Sequence, residues 1–331
     1  MSKFKPTIED VARAAGVSRA TASRVINHAP GASAPLRARV EAAVAALGYR
    51  PDEHARALAS GRTRAVDVVV SGCDSTKGWL GAHPYFGRVI AGMMPVLEEA
   101  STQLRLHAIG RDDTAEAIDE IAANASLGAV LADATPELAA RFHRRCRRVV
   151  SLVPTAPMVP GMAADNTGGA YAAVRELHRL GCRRIAAIHG PAVNPCAIER
   201  RTGFRQAIRE LGLAEVAADG DFDLQGGYRA AQQLLDRHPE IDGIFVACDY
   251  MAAGAIQAIT AGGRRVPDDV SVIGFDDSIA AVCTNPPLTT MRLPVEEMAA
   301  AATRLLLEGI PASAHRQRFP VELVVRESTR G

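Results

Sequence analysis

The 331-residue sequence predicts an N-terminal all-α helix-turn-helix head with a hinge helix, followed by an α/β body of two parallel-sheet subdomains. Apolar residues recur at helical spacing in the head, whereas the remaining chain alternates short β-branched runs with helix-length segments. Residues 1–64 carry eleven Lys or Arg against five Asp or Glu, although the whole chain has a formal net charge of only +1. This charge split favours a polyanion-binding head, but a basic, solvated tail would produce the same split.

The overall composition is ordinary for a globular protein, with 48% apolar and 23% charged residues. No apolar run approaches the roughly 20 residues that a membrane span requires, and the N-terminus lacks an apolar signal core. The six cysteines form no CxxC pair, which argues against structural zinc and fits reduced thiols. We therefore expect a cytoplasmic protein without a membrane partner, a metal site or a cofactor.

The head is predicted to contain three helices. Thr7 can cap the first helix, with Asp10 as its partner in a capping box, and Gly16 ends that helix in a turn. Ser18 can cap a second helix that runs to about Asn27. A third helix follows Pro35. Two helices joined by a tight turn that contains glycine make a helix-turn-helix, whose second helix enters the major groove of DNA.

The second helix carries residues suited to DNA contacts. Arginine can read guanine and alanine can touch a thymine methyl, so Arg19, Ala20 and Arg24 are the candidates for base contacts. Short polar side chains suit phosphate contacts, and these candidates are Ser18, Thr21, Ser23 and Asn27. Thr7, at the first cap, is a further candidate for DNA binding.

The segment YRPDEHARALASGRTR, residues 49–64, predicts a short helix between the head and the body. In a hinge helix, Leu58 would wedge between base steps in the minor groove. A solvated linker with an incidental leucine fits the same residues.

Three segments resemble the lactose/galactose repressor (LacI/GalR) family: TIEDVARAAGVSRATASRVIN (7–27), LGYRP (47–51) and ARALASGRTRAV (55–66). The resemblance continues to the C-terminus. It implies that the three candidates for base contacts read the operator, and that Leu58 enters the minor groove with Ala55 packed beside it.

The body contains short β-branched runs that predict strands: residues 65–70, 104–109, 127–132, 147–152, 183–190, 242–248 and 269–275. Helical segments lie between them, which indicates a parallel sheet covered on both faces. Ligands of such sheets bind in the cleft at the carboxyl ends of the strands.

The resemblance implies a periplasmic-binding-protein fold for the body, in which the chain crosses between two subdomains three times. We expect these crossings near residues 163, 292 and 318. The predicted divisions are a DNA-binding domain (1–50), a hinge helix and linker (51–64) and an effector-binding domain (65–331), with an N-subdomain (about 65–163 and 292–318) and a C-subdomain (about 164–291 and 319–331).

Asp276 is the first candidate residue of the effector site, because it follows the predicted strand in VSVIGFDD. The resemblance aligns Asp276 and Arg200 with residues that hold the effector, and Phe222 with an aromatic that stacks on it. We expect both charged residues at carboxyl ends of strands facing the cleft. Two alternatives remain open: Asp276 is an ordinary turn aspartate, or Arg201 is the exposed arginine.

Further effector candidates are Cys196, Cys248 and Asp249. The resemblance places Asn where Cys248 stands, Gln where Leu293 stands, and a small hydroxyl residue where Cys196 stands. A sugar loses roughly 1–3 kcal/mol for each buried hydroxyl left unpaired. The effector is therefore less hydroxylated than a hexose, or other residues compensate. The segment 72–87, which contains Trp79, is either a surface loop or a cover for the cleft.

Enzyme motifs are missing from the sequence: we find no GxGxxG after the first strand, no GxxxxGK[ST], no GxSxG and no HExxH. The resemblance implies a DNA-binding transcriptional repressor that binds a pseudo-palindromic operator as a homodimer. It also implies that a sugar-like effector in the cleft controls the repressor by changing the angle between the subdomains. The alternative is a solute-binding protein without a regulatory role, although the basic head argues against that.

Overall fold

The computed structural model describes residues 6–26, 32–49, 64–73, 83–110, 115–310 and 315–331. The chain divides into two compact units, residues 1–64 and 65–331. Several predictions concern residues outside the described ones: Asn27, Trp79 and nearly all of the hinge segment, including Ala55 and Leu58.

The described part of the head contains three helices: α1 (Ile8–Ala15), α2 (Arg19–Ile26) and α3 (Ala34–Leu47). The predicted capping box of α1 is confirmed, because Asp10 accepts from the Thr7 amide at 2.9 Å and its own amide donates to the Thr7 hydroxyl. Gly16 ends α1 with φ 61°, a conformation that only glycine adopts readily. Ser18 caps α2 by accepting from the Thr21 amide at 3.1 Å, as predicted.

A small apolar core holds these helices together: Val11, Ala15, Val25, Val40 and Ala43. Arg39 on α3 also donates to the carbonyls of Ala15, at 2.6 Å, and Gly16, at 3.2 Å. The end of α1 is therefore fixed by a side chain of the third helix as well as by the glycine turn.

The body contains two six-stranded sheets within its described residues. The strands of the first sheet, in spatial order, are β11 (Arg316–Phe319), β5 (Gly161–Ala164), β4 (Val149–Ser151), β3 (Ala129–Ala132), β1 (Ala65–Cys73) and β2 (Gln103–Gly110). Those of the second sheet are β12 (Glu322–Val324), β10 (Thr289–Arg292), β9 (Ser271–Asp276), β8 (Gly243–Val246), β6 (Ile185–His189) and β7 (Val216–Asp219). All paired strands run parallel except β12, which lies antiparallel to β10.

We call the first sheet with its helices the N-lobe and the second the C-lobe. The N-lobe helices are α4 (Pro84–Glu99), α5 (Ala115–Asn124), α6 (Pro136–Arg145) and α12 (Val295–Glu308). The C-lobe helices are α7 (Asn166–Arg179), α8 (Pro195–Glu210), α9 (Leu224–Arg237), α10 (Asp249–Ala261) and α11 (Ile279–Cys283). Every residue of β3, β4, β6, β8 and β9 is buried, because helices cover both faces of each sheet.

The chain passes between the lobes three times. The last strand residues before the three passages are Ala164, Arg292 and Phe319. Each lobe is consequently built from separated parts of the chain. Among the described residues, no helix is both long and apolar enough to cross a membrane.

Candidate functional site

A cavity lies between the N-lobe and the C-lobe at the carboxyl ends of the strands. Its lining residues are His83, Tyr85, Phe86, Asp133, Leu152, Val153, Ala164, Asn166, Asn194, Cys196, Arg200, Phe222, Cys248, Asp276, Leu293 and Met298. Five of the six predicted effector residues are among them, and Asp249 is not.

Asp276 is the last residue of β9, so it lies at the carboxyl end of a strand as expected. Its Oδ1 is 3.4 Å from Nη1 of Arg200. Burial raises the pKa of Asp276, and the charge of Arg200 opposes that rise. Its φ of 123° is rare for a residue with a side chain, which shows that neighbouring contacts hold it in a strained conformation.

Arg200 lies one turn inside α8, so the expectation that it follows a strand is wrong. Its side chain nevertheless reaches the cavity, because α8 begins close to the carboxyl end of β6. Nε donates to the Asn166 side chain at 2.9 Å, and Nη1 donates to the Ala247 carbonyl. Arg201 forms an ion pair with Asp219 at 2.5 Å and does not line the cavity.

Asp249 lies behind the cavity wall and is fully buried, so the structure does not bring it to the cavity with the other effector candidates. Its carboxylate accepts from the Thr290 hydroxyl at 2.5 Å and from the Ser278 amide at 2.7 Å. Burial raises the pKa of Asp249, and the nearby Asp276 carboxylate raises it further. As the first residue of α10, Asp249 ties that helix to β10 and to the loop after Asp276.

Phe222 presents its ring to the cavity from a backbone with φ 59°. The ring lies against Gly190, where an added Cβ would come within 2.3 Å of two ring carbons. Across the cleft, the His83 ring hydrogen-bonds to the Phe222 backbone, while its Nδ1 accepts from the Tyr85 amide at 3.2 Å. Burial lowers the pKa of His83 to about 4, so the ring is neutral at neutral pH.

The two predicted cysteines both line the cavity. Cys248 is buried, and its sulfur caps α10 by accepting from the Met251 amide at 3.4 Å. Burial raises the pKa of Cys196 to about 12 and that of Cys248 well above its usual range. Both groups are therefore neutral thiols, which pair weakly with hydroxyl groups.

Several polar residues of the cavity were not predicted from the sequence: His83, Asn166, Asn194 and Asp133. Asn194 caps α8 through Oδ1, which accepts from the Ala197 amide at 3.1 Å, and its Nδ2 donates to Asp133 across the cleft. Burial raises the pKa of Asp133 to about 6, against the hydrogen bond from Asn194. Their positions, directly after β3 and directly before α8, were the available signal.

Most of the apolar part of the wall was also missed, and it comes largely from the N-lobe: Tyr85, Phe86, Leu152, Val153, Ala164 and Met298. Leu293, where the resemblance places Gln, also lines the cavity. The charged pair Arg200–Asp276 belongs to the C-lobe. This arrangement suits a ligand with one polar, hydroxylated side and one apolar side.

The head presents its candidate residues on α2. Arg19, Ala20 and Arg24 are exposed, and Nε of Arg19 lies 3.0 Å from Glu9 Oε1. The hydroxyls of Ser18 and Thr21 lie 2.9 Å apart. Of the other candidates for DNA contacts, Ser23 is partly buried. The Thr7 hydroxyl donates to the Asp10 carboxylate at 2.7 Å. Three more candidates lie outside the described residues: Asn27, Ala55 and Leu58.

Two protein families match this chain. The family described as bacterial regulatory proteins, lacI family, matches residues 7–52. The periplasmic binding protein-like domain matches residues 174–329. The first match covers the head and the second covers most of the C-lobe.

Relatives match almost end to end. The HTH-type transcriptional regulator CelR of Thermobifida fusca is 35% identical over 340 residues, covering 98% of this chain and 98% of CelR. A solved complex of CelR with cellobiose is 33% identical with a TM-score of 0.74, covering 98% of this chain and 99% of that one. The Lac repressor dimer bound to operator and the anti-inducer ONPF is 27% identical with a TM-score of 0.74, covering 99% and 100%.

Proposed function

The chain belongs to the LacI family of bacterial transcriptional regulators, and from that premise we propose that it represses its operator under the control of a sugar-like effector bound between its lobes. The predicted family, fold class and regulatory function are confirmed. The observation that carries the effector site is the buried pair of Arg200 and Asp276, which faces a cavity shared by both lobes. An effector that changes the lobe angle would change operator affinity, with a coupling typically of about 1–3 kcal/mol.

We propose a glycoside with one apolar side as the effector. The relative CelR was solved with cellobiose, which makes a β-linked disaccharide the first ligand to test. The neutral thiols of Cys196 and Cys248, together with Leu293, offer few partners for hydroxyl groups on their part of the wall. Arg200, Asp276, Asn166 and the pair Asp133–Asn194 would bind the hydroxylated side, while Phe222 stacks on the ring.

A thermal-shift screen tests this proposal. Cellobiose, glucose, an aryl β-glucoside and a nucleoside are compared at equal concentrations. A ligand present at 100 times its dissociation constant stabilises the protein by about 2.7 kcal/mol. The aryl glucoside and cellobiose are expected to stabilise the chain more than glucose does. A larger shift with the nucleoside would replace the sugar class by another.

For operator recognition, we propose that Arg19, Ala20 and Arg24 contact bases, with Ser18, Thr21, Ser23, Asn27 and Thr7 on phosphates and Leu58 and Ala55 in the minor groove. The exposure of the three base-contact candidates on α2 supports this. We retain the domain division proposed above, with residues 1–50 as the DNA-binding domain and 65–331 as the effector-binding domain. Binding of a random operator library separates this function from that of a solute-binding protein, which would select no DNA.

We further propose that the regulator acts in the cytoplasm, binds rather than converts its effector, and works as a homodimer on a pseudo-palindrome. A dimeric Lac repressor is among the similar structures. Ile279 and Val282 are 65% and 50% exposed on the short helix α11, which suits an apolar contact between two copies. Sedimentation of Ile279→Asp tests the dimer: the variant should be monomeric, and an unchanged sedimentation coefficient would remove α11 from the interface.

A further inference from the structure

Arg88, on α4 of the N-lobe, contacts both lobes through one guanidinium group. Its Nε and Nη2 donate to the two carboxylate oxygens of Glu296, each at 2.7 Å. Its Nη1 donates to the Asp276 carbonyl at 2.7 Å, and Nη2 donates to the Leu293 carbonyl at 2.8 Å. Asp276 is therefore held at its carbonyl by the N-lobe and faces the cavity with its carboxylate.

The N-lobe end of this connection is rigid. The bidentate geometry of Arg88 and Glu296 fixes both side chains in one plane. The helices α4 and α12 that carry them approach closely at Gly92, where a Cβ would lie 2.3 Å from the Glu296 carbonyl oxygen. Arg88 is consequently tied to both helices at its N-lobe end.

The C-lobe end of the connection is strained. Asp276 has φ 123° and Asp277 has φ 54°, both in the region that favours glycine. The Asp277 carboxylate accepts from Arg292 at 2.7 Å and from Arg326 at 2.5 Å. The Asp276 carbonyl also accepts from the Leu293 amide at 3.2 Å, so this turn sits at a passage of the chain between the lobes.

We infer that Arg88 is a positioning residue that holds the strained end of β9 against the N-lobe and thereby keeps the cleft closed over the effector cavity. Release of its two carbonyl contacts lets the β9 end relax, and the lobes separate. The link from Arg88 to effector response rests on the proposed function, because it takes Asp276 as an effector contact. The contacts of Arg88 are made within the chain itself, so the closure is tested without a ligand.

The cysteines of the chain report closure directly. Cys196 and Cys248 line the cavity, whereas Cys146 and Cys182 are buried in the N-lobe and C-lobe away from its lining. Alkylation of the full-length, ligand-free protein with iodoacetamide at one fixed pH, followed by peptide mass spectrometry, measures all four rates in one sample. Opening of the cleft accelerates the cavity pair alone, and global unfolding accelerates all four.

In Arg88→Met, we expect the cavity pair to react at least about tenfold faster relative to the reference pair, the factor for losing one charge-assisted hydrogen bond. Arg88→Lys, which keeps the charge and can still donate to a carbonyl, should recover part of the protection. Arg148→Met is the matched control, because Arg148 also donates to two carbonyls, those of Leu127 and Leu306, but within the N-lobe alone. Arg148→Met should leave the ratio of alkylation rates, cavity cysteines to reference cysteines, unchanged.

The variant Glu296→Leu distinguishes a role of Arg88 in cleft closure from a role that only links helices α4 and α12. This variant removes the carboxylate contacts and keeps both carbonyl contacts of Arg88, so its effect on the ratio should be smaller than that of Arg88→Met. The inference is overturned if the ratio in Arg88→Met equals that of the wild type, if Arg148→Met raises it equally, or if Glu296→Leu reproduces the whole effect. If Arg88→Met does not fold, Arg88→Lys decides the question: a ratio above that of the wild type supports the inference, and a ratio equal to that of the wild type overturns it.

Discussion

The guanidinium carbon of Arg200 lies 3.8 Å from the centroid of the Phe275 ring, so the cavity arginine stacks on the residue that precedes Asp276. The ring supports one face of a planar group whose edge bonds to Asn166 and Asp276. Planar stacking and a fixed fork of donors are properties that lysine lacks.

Arg200→Lys should therefore weaken effector binding by about 1.5–3 kcal/mol, roughly 10- to 150-fold, although the charge is retained. Isothermal titration calorimetry with the sugar identified in the thermal-shift screen measures this loss. Arg201→Lys is the control, because Arg201 pairs with Asp219 outside the cavity. Equal affinities of the two variants would show that Arg200 does not contact the effector.

Gly190→Ala should displace the Phe222 ring, because the new methyl would lie 2.3 Å from two ring carbons. Because a ring moved by a methyl group cannot stack in its former position, we expect effector affinity to fall by roughly 0.5–1.5 kcal/mol. Gly87→Ala is the matched control, since nothing lies within 4 Å of a Cβ on that helical glycine. Fluorescence or calorimetric titration of both variants measures the difference, and an unchanged affinity in Gly190→Ala would exclude Phe222 as a stacking residue.

His189 links stability to pH. It is buried at the end of β6, packs edge-on against Phe204 at 5.3 Å, and has neither ring nitrogen bonded within the described part of the chain. Burial lowers the pKa of His189 to about 4, below the value of 6.5 expected when the chain is unfolded. Protonation then favours the unfolded chain, so this contribution is present above pH 6.5 and is lost as the pH falls from 6.5 towards 4.

His189→Leu should flatten the loss of stability over that interval by up to about 1.4 kcal/mol for each pH unit. Urea unfolding at pH 7, 6 and 5 measures the slope for both proteins. His83 titrates in the same interval with the same sign, so the slope should be reduced and not abolished. Identical slopes would mean that His189 is solvated or bonded in solution.

Gly16→Ala should destabilise the head in two ways. The left-handed backbone costs about 1–2 kcal/mol for any residue with a Cβ, and that Cβ would meet Arg39 Nη2 at 2.6 Å. Gly48→Ala isolates the first effect, because Gly48 has φ 60° and open space around its Cβ position. Hydrogen exchange of the head amides should therefore rank the wild type as most protected, Gly48→Ala next and Gly16→Ala last. The reverse order of the two variants would contradict the role of Arg39.

Arg24→Ala should reduce specific operator binding by roughly 1–3 kcal/mol if Arg24 reads a guanine. Non-specific binding should fall far less, so the ratio of specific to non-specific affinity is the measurement. Arg13→Ala removes the same charge from α1, where the side chain is 78% exposed and paired with Asp10, and should lower both affinities alike. A preserved ratio in Arg24→Ala removes that residue from the base contacts.

The sequence was most informative where local chemistry determines the backbone. The capping box of Thr7 and Asp10 and the left-handed Gly16 depend on a few neighbouring residues, and both are present as expected. The long β-branched runs were also recognisable as strands. Five strands were not recognised, namely β5, β7, β10, β11 and β12, because each is only three or four residues long.

The effector cavity depends on tertiary contacts, and there the sequence was less sufficient. The resemblance aligned Arg200, Phe222 and Asp276, which all line the cavity, whereas Asp249, a candidate because it lies at a strand end, does not. A residue directly after a strand can face the cavity or the core, and the hydrogen bonds from Thr290 and Ser278 turn Asp249 inward. The residues of the N-lobe wall could not be identified from the sequence, because ordinary aliphatic and aromatic residues have no pattern that indicates their function. Only the position of the two lobes brings them to the cavity.

The three passages of the chain also affect how the protein is synthesised. The head occupies one continuous stretch with its own apolar core, so it can fold early on the ribosome. The second sheet is incomplete until β12, residues 322–324, has been translated and added to β10. A premature stop codon shortly before that strand would therefore release a polypeptide with a complete head and an incomplete C-lobe. Such a polypeptide would also lack a properly built support for the dimer contact proposed on α11, because that helix belongs to the C-lobe.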